Sequence, residues 1–307
     1  MIPPGRAHLL VLPGRYCFAA PTPPPAGRPW TAAVCVGGGV GAVIGFTKHI
    51  NGLHKQAAGG GRPVTGLAKR LGQGLYTAWA GLAFGGVTLL TLLLLLIVPG
   101  EARRRAVVRR AARLILWLFG SPPRVQGLER LPAQSCVVVA NHASYLDGMI
   151  LTAVLPPRFS FVIKREMTRV PVAHFLLRRI GSQFVERFDG PRRSVDARRI
   201  MQEALHDHRS LAFFPEGTFR AEAGLRRFHA GAFQVARRAG KPLVPVVIRG
   251  SRKMLPADTW LLRPGRLEVE VLAPVDASAG DSADGLAAAC RSAILARLGE
   301  PDLDRPG

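Results

Sequence analysis

The stretch Leu75–Val98 carries no charged residue and closes on Leu92-Leu93-Leu94-Leu95-Leu96-Ile97-Val98. Its 24 residues exceed the ~20 that an apolar helix needs to cross a bilayer. A chain holding such a segment must give it to lipid or wrap it in protein. A core helix of this length is seldom apolar on every side, so the run reads as a membrane helix. A buried core helix and a shallow membrane-dipping hairpin are the competing readings.

The next segment is basic. Arg103, Arg104, Arg105, Arg109, Arg110 and Arg113 interleave with Val107, Val108, Ala111, Leu114, Ile115 and Leu118. Spacings of three and four predict a helix with one apolar stripe and arginines around it. Such a helix lies on a membrane surface with its arginines on anionic headgroups; a solvated basic face is the alternative. The positive-inside tendency then places all that follows in the cytoplasm, although Lys69 and Arg70 on the other flank oppose it. The expected location is the cytoplasmic membrane, with the soluble part facing the cytoplasm and membrane lipids as partners. A net charge of +22 also raises nucleic acid as a partner. Nucleic-acid modules interleave basic residues with aromatics or carry a recognisable motif. Neither is present, and the densest basic run borders the hydrophobic span, where lipid is the nearer polyanion.

Residues 1–74 are rich in Pro and Gly and contain no Asp or Glu, which predicts a poorly ordered extension. Its run Val36-Gly37-Gly38-Gly39-Val40-Gly41 does not fit a GxGxxG phosphate loop. Trp30–Phe46 is apolar but short for a second span and reads as a re-entrant or signal-peptide segment; an over-extended translation start is another account of this region. Residues 75–120 form the anchoring and interfacial helices, 121–299 a compact unit and 300–307 a tail. The four cysteines show no CxxC pair and no metal-ligand spacing. Cys136, in an apolar strand, reads as a small core residue.

From residue 121 short apolar runs alternate with helical stretches. Strands are predicted at Cys136–Ala140, Phe159–Ile163, Gln183–Glu186, Leu211–Phe214, Leu243–Ile248 and Leu267–Leu272. Helices are predicted at Asp147–Val154, Val172–Arg179, Arg192–His208, Phe228–Ala239 and Gly285–Leu298. Strands alternating with helices argue for an α/β sandwich.

Two strings stand out. In Asn141-His142-Ala143-Ser144-Tyr145-Leu146-Asp147 a base and a carboxylate lie five residues apart. On one continuous helix that spacing would turn them ~140° away from each other. They meet only if His142 lies in the turn after a strand and Asp147 in the first helical turn. Free imidazole titrates near ~6.5, which suits a base acting on a hydroxyl. A carboxylate partner fixes the ring's tautomer and stabilises the imidazolium. With 8 His and 10 Asp in the chain, roughly a quarter of a chance match to this spacing is expected, so the pair alone is weak. Phe214-Pro215-Glu216-Gly217-Thr218, at the end of an apolar run, is a turn whose backbone N–H groups, with Arg220 following, suit a phosphate.

Together the strings resemble the glycerophospholipid acyltransferases, the family of 1-acylglycerol-3-phosphate acyltransferase, over roughly residues 121–275. NHxSxxD stands as Asn141, His142, Ser144 and Asp147. Lys164-Arg165-Glu166 through Pro171 and Gly181 to Phe184-Val185-Glu186-Arg187 resembles the second motif. Phe214–Thr218 is the third, and Val244-Pro245-Val246-Val247-Ile248-Arg249-Gly250 the fourth. The resemblance implies an α/β fold with a mixed sheet flanked by helices, glycerol-3-phosphate acyltransferase-like, preceded by a membrane helix and a basic amphipathic helix. It implies His142 as general base and Asp147 as its partner. Asn141, Ser144, Lys164, Arg187, Glu216, Gly217, Thr218 and Arg220 become substrate-binding candidates, with Arg187 and Arg220 for the acceptor phosphate. The implied reaction moves a fatty acyl group from acyl-CoA or acyl carrier protein to a lysophospholipid hydroxyl, without metal, prosthetic group or acyl-enzyme. Where the family commonly places Arg after the Thr of the third motif, this chain has Phe219. That keeps another acceptor, such as a lyso-ornithine lipid, in view. His174 stands where a small residue is frequent. A thioester hydrolase and a non-enzymatic anion-binding protein are the remaining readings; the absence of a GxSxG elbow disfavours a serine hydrolase.

Overall fold

The computed structural model describes residues 63–185, 199–202, 204–205, 209–277 and 282–304. Two long helices come first. α1 (Pro63–Ile97) starts well before Leu75 and, at 35 residues, is about 50 Å long. The chain turns at Gly100 into α2 (Glu101–Leu118), which runs back alongside it. Tyr76 Oη donates to Phe119 O at 2.8 Å and Trp79 Nε1 to Leu118 O at 3.1 Å. At the other end Leu95 packs with Val108 and Ile180. From Arg70 onward α1 buries only Ala80, Thr91 and Leu95. Leu82, Leu89, Leu93, Leu96 and Ile97 are each more than half exposed.

The arginines of α2 depart from the expectation that they face headgroups. Arg105 Nε donates to Ile180 O at 2.8 Å, Arg109 Nη2 to Val154 O at 3.0 Å and Arg113 Nε to Ala153 O at 2.8 Å. Spaced four apart, they share one helix face. Ala153 and Val154 end helix α3 (Leu146–Val154), whose last carbonyls lack helical partners and carry partial negative charge. Arg109 and Arg113 therefore cap this neighbouring helix and Arg105 holds the carbonyl of Ile180, while Arg103 and Arg110 stay exposed. The buried stripe is Val108, Ala112, Ile115 and Leu116; Leu114 and Trp117 face outward.

Seven strands follow among the described residues: β1 (Arg124–Gln126), β2 (Val137–Ala140), β3 (Phe159–Lys164), β4 (Gln183–Val185), β5 (Ser210–Phe213), β6 (Leu243–Arg249) and β7 (Glu268–Val271). Their order is β1-β7-β6-β2-β5-β3-β4. From β6 to β4 all neighbours are parallel; β7 is antiparallel to β6, and β1 parallel to β7. Further helices bounded within the described residues are α4 (Pro171–Arg179), α5 (Gly231–Arg238), the single turn α6 (Ser251–Met254) and α7 (Ala283–Leu298).

β2 is fully buried because Val137-Val138-Val139-Ala140 suits a strand covered on both faces. Alternate residues point to opposite cores. Val138 and Val246 join Ile150, Leu151, Ile115 and Leu116 on the α2–α3 side. Val137, Val139 and Leu243 join Phe233, Leu286, Cys290 and Ile294 on the α5–α7 side. Each large aliphatic buried this way contributes about 1.5–3 kcal/mol. Burial pushes the Cys290 thiol up to about 12, and Cys136 is likewise enclosed and raised.

The mixed α/β sheet flanked by helices is thus the observed fold. β1 and α6 were not anticipated. α5 starts later than Phe228, because His229 N–H donates to Pro215 O at 2.9 Å outside any helical ladder. Of the predicted helix Arg192–His208, residues 199–202 and 204–205 are described and helical; the rest, with residues 1–62, lies outside the described residues. The segment set apart as a tail is tied in as far as Leu303, since Asp302 pairs with Leu225 and Leu303 N–H donates to Leu225 O.

Candidate active site

The parallel strands β2, β5 and β6 end on the same edge of the sheet, where open α/β folds place their ligands. Asn141 follows β2 directly. Its Nδ2 donates to Ile248 O at 2.9 Å and its Oδ1 accepts Ile248 N–H at 2.7 Å. The side chain thereby extends the β2–β6 ladder past the last paired residue, Ala140.

His142 then leaves the strand, and Asp147 is the second residue of α3. One carboxylate oxygen, Asp147 Oδ2, accepts Ala143 N–H at 2.6 Å and Ser144 N–H at 2.8 Å, and lies 2.9 Å from His142 Nδ1. An oxygen gathering two backbone donors is a carboxylate acceptor, so the proton of the third contact sits on Nδ1. Nε2 is left with its lone pair. Asp147 is fully buried, while the His142 side chain keeps 17% of its surface exposed. Asp147 Oδ1 has no hydrogen-bond partner among the described residues.

The turn after β5 meets this loop. Gly217 N–H donates to Phe214 O at 3.1 Å, and Gly217 takes φ 83°, a left-handed conformation that glycine adopts without steric cost. Glu216, 3% exposed, spends both oxygens on backbone. Oε1 accepts His142 N–H at 2.7 Å and Oε2 accepts Arg226 N–H at 3.1 Å. Burial pushes its carboxyl above the ordinary carboxylate range, while the two N–H donors pull the other way. The imidazole is clasped by rings: Phe214 stacks on it at 4.3 Å and 21°, and Phe219 meets it edge-on at 4.6 Å and 62°. Tyr145 contacts Phe219 at 4.6 Å and Trp260 stacks on Tyr145 at 5.4 Å. A line of aromatic rings therefore runs from the base to the exposed Trp260.

His142, Asp147, Glu216 and Gly217 come together. Asn141 and Ser144, expected to touch substrate, turn their polar atoms inward; Ser144 Oγ donates to Leu255 O at 2.8 Å and accepts Leu146 N–H. Thr218 and Arg220 are exposed on the same loop. Lys164 ends β3, with its Nζ 3.1 Å from Glu166 Oε1. Arg187 lies outside the described residues. Sequence reasoning missed Tyr145 and Trp260 as neighbours of the base and noted Phe219 only as a departure. The one available signal was Tyr145 and Phe214 standing inside the two strings.

A family model described as Acyltransferase matches residues 122–249. A chloroplastic 1-acyl-sn-glycerol-3-phosphate acyltransferase of Brassica napus is 34% identical over 160 residues, 51% of this chain and 46% of that protein. The chain spans about half the length of this and a second plant relative. A lyso-ornithine lipid O-acyltransferase of Pseudomonas aeruginosa is 32% identical over 192 residues, 57% of this chain and 72% of that one. The alpha 1-acyl-sn-glycerol-3-phosphate acyltransferase of Mus musculus is 31% identical over 199 residues, 62% and 68% respectively. The crystal structure of the 1-acyl-sn-glycerophosphate acyltransferase PlsC from Thermotoga maritima superposes with a TM-score of 0.61 at 20% identity, over 75% of this chain and 95% of that one, a likeness of fold. Identity above 30% sustained over more than two thirds of two of these proteins exceeds what a shared scaffold alone produces, and the chain belongs to the glycerophospholipid acyltransferase family, that of the 1-acyl-sn-glycerol-3-phosphate acyltransferases.

Proposed function

We propose that this protein transfers a fatty acyl group from a thioester, acyl-CoA or acyl carrier protein, to the free hydroxyl of 1-acyl-glycerol-3-phosphate, giving phosphatidic acid. The observation that carries the reading is the 2.9 Å contact between His142 Nδ1 and the buried Asp147. It leaves Nε2 to take the proton of an acceptor hydroxyl. The hydroxyl oxygen bonds to the thioester carbonyl carbon, and the C–S bond breaks as the tetrahedral species collapses. The departing thiolate takes up the proton from the imidazolium. Asp147 stabilises that imidazolium while it exists. Arg220, Arg187 and Lys164 are the cations proposed to hold the acceptor phosphate. Glu216 serves the acceptor site indirectly, by fixing the loop of the base.

The exposed apolar face of α1 is proposed to hold the protein at the cytoplasmic membrane, with the α/β unit on the cytoplasmic side. It supplies the lipid surface such an acceptor requires.

One observation favours a second acceptor. Phe219, where the family commonly has Arg, lies against the ring of His142, and the Pseudomonas aeruginosa relative is a lyso-ornithine lipid acyltransferase. The test is to supply membranes bearing the protein with labelled oleoyl-CoA and a panel of lysolipids. Diacyl product from lysophosphatidic acid alone supports the first reading. Product from lyso-ornithine lipid alone moves the assignment to the second. Free fatty acid formed with no acceptor dependence would make the protein a hydrolase.

A further inference from the structure

The loop from Gly217 to Phe228 joins the turn of Glu216 to α5 and carries Thr218, Phe219 and Arg220. A second segment of chain, Glu300–Asp304 after α7, lies along it. Leu225 N–H donates to Pro301 O at 2.9 Å and Leu303 N–H to Leu225 O at 3.0 Å. Gly224 N–H donates to Glu300 Oε2 at 2.8 Å. The approach is close: a Cβ on Gly224, at φ 139°, would lie 2.5 Å from Leu303 Cγ and 2.8 Å from Pro301 O.

Two arginines fasten the segment to the loop, each gripping a carboxylate and loop carbonyls at once. Arg252 pairs with Glu300 through Nε at 3.1 Å and Nη2 at 3.0 Å. Its Nη1 donates to Arg220 O at 2.6 Å and Glu222 O at 2.7 Å. Arg291 forks onto both oxygens of Asp302. It also donates to Arg226 O at 3.0 Å and Leu225 O at 2.8 Å. Such forks fix direction as well as distance. The peptide of Arg226 continues the line, because its N–H meets Glu216, whose other oxygen holds His142 N–H.

We propose that Glu300–Asp304 is a positioning strap for the reaction, resting on the acyltransferase reading above. Glu300, through Arg252, sets the part of the loop that receives the acceptor. Asp302, through Arg291, Arg226 and Glu216, sets the base. The side chains of Glu300, Arg252, Asp302 and Arg291 do not touch the reacting atoms. A remote mutation that misplaces the reacting groups by about an ångström costs ~100-fold in rate, so the smaller shifts that a loosened strap allows are a lever on turnover.

The test uses the full chain with Glu300→Ala and Asp302→Ala. Glu300→Gln, which keeps the size and removes the charge, replaces the first if it does not fold. Amide hydrogen exchange over residues 218–227 and steady-state kinetics are measured together. Both variants are expected to speed exchange in that loop. Glu300→Ala should raise the apparent KM for the lysolipid about tenfold, and Asp302→Ala should lower kcat about tenfold. The KM for the acyl donor should stay unchanged in both. Unchanged loop exchange overturns the proposal. So does a loss shared equally by donor and acceptor that follows the drop in melting temperature. If the wild-type chain turns over no lysolipid, the acyltransferase reading fails, and the exchange result still decides whether the strap holds the loop.

Discussion

Three donors converge on one oxygen of Asp147, and two of them are backbone amides of the loop that carries the base. The carboxylate thus organises the turn and orients the ring in one act. General-base catalysis contributes ~100-fold or more. His142→Ala is therefore expected to lower turnover at least ~100-fold while leaving the melting temperature near that of the parent, measured with purified protein and labelled donor. Near-normal turnover would remove His142 from the mechanism. Arg187→Ala is expected to weaken phosphate-bearing acceptors selectively; equal loss with an uncharged acceptor would refute a phosphate role. The strings around His142 and Glu216 were legible because their residues are contiguous and chemically distinctive. Phe219 and Trp260 were not, since their link to the base runs through space and through Tyr145. Glu216 is instructive too: the family resemblance implied a substrate contact for it, whereas only geometry reveals that both oxygens are occupied by backbone.

Among the elements, the strands with the clearest sequence signal are those buried on both faces, such as Val137–Ala140. Their apolar runs need no partner to be recognised. β1 escaped because Arg124-Val125-Gln126 is an exposed three-residue edge piece. The arginines of α2 show another limit. A basic row beside an apolar stripe has the same pattern whether it meets headgroups or the carbonyls that end a neighbouring helix. Position in three dimensions decided it. Where β2 meets β6, Asn141 replaces two ladder hydrogen bonds. Asn141→Ala strands the N–H and C=O of Ile248 in a buried place, at about 1–3 kcal/mol for each orphaned group. A urea midpoint in detergent should fall by a corresponding amount, and activity should fall with it because the clasp precedes His142. An unchanged midpoint would show that the two groups find other partners.

For the molecule as a whole, the decisive feature is a helix about 50 Å long that shows most of its large apolar side chains to the outside. Leu82, Leu89 and Leu93 are exposed, so replacing them leaves the cores intact. An arginine in lipid costs about 3 kcal/mol near the centre of a span. Leu82→Arg, Leu89→Arg and Leu93→Arg together are expected to shift the protein from the membrane pellet to the supernatant after an alkaline wash, with the melting temperature of the α/β unit retained. Retention in the pellet would assign anchoring elsewhere, Leu114 and Trp117 of α2 being the next candidates.

The clasp between Asn141 and Ile248 joins residues 107 positions apart, and it has a consequence for the order in which the protein comes into being. Chains are made from the amino end, and their parts fold in that order. α1 has left the ribosome and can meet lipid long before Ile248 is added. Until then the histidine is present but lacks β6 on one side of its strand and, before Glu216 emerges, also the carboxylate that holds its amide. Translation products arrested before Leu243 are expected to sediment with membranes and yet acylate nothing; activity in such products would show that the base finds its place without the clasp.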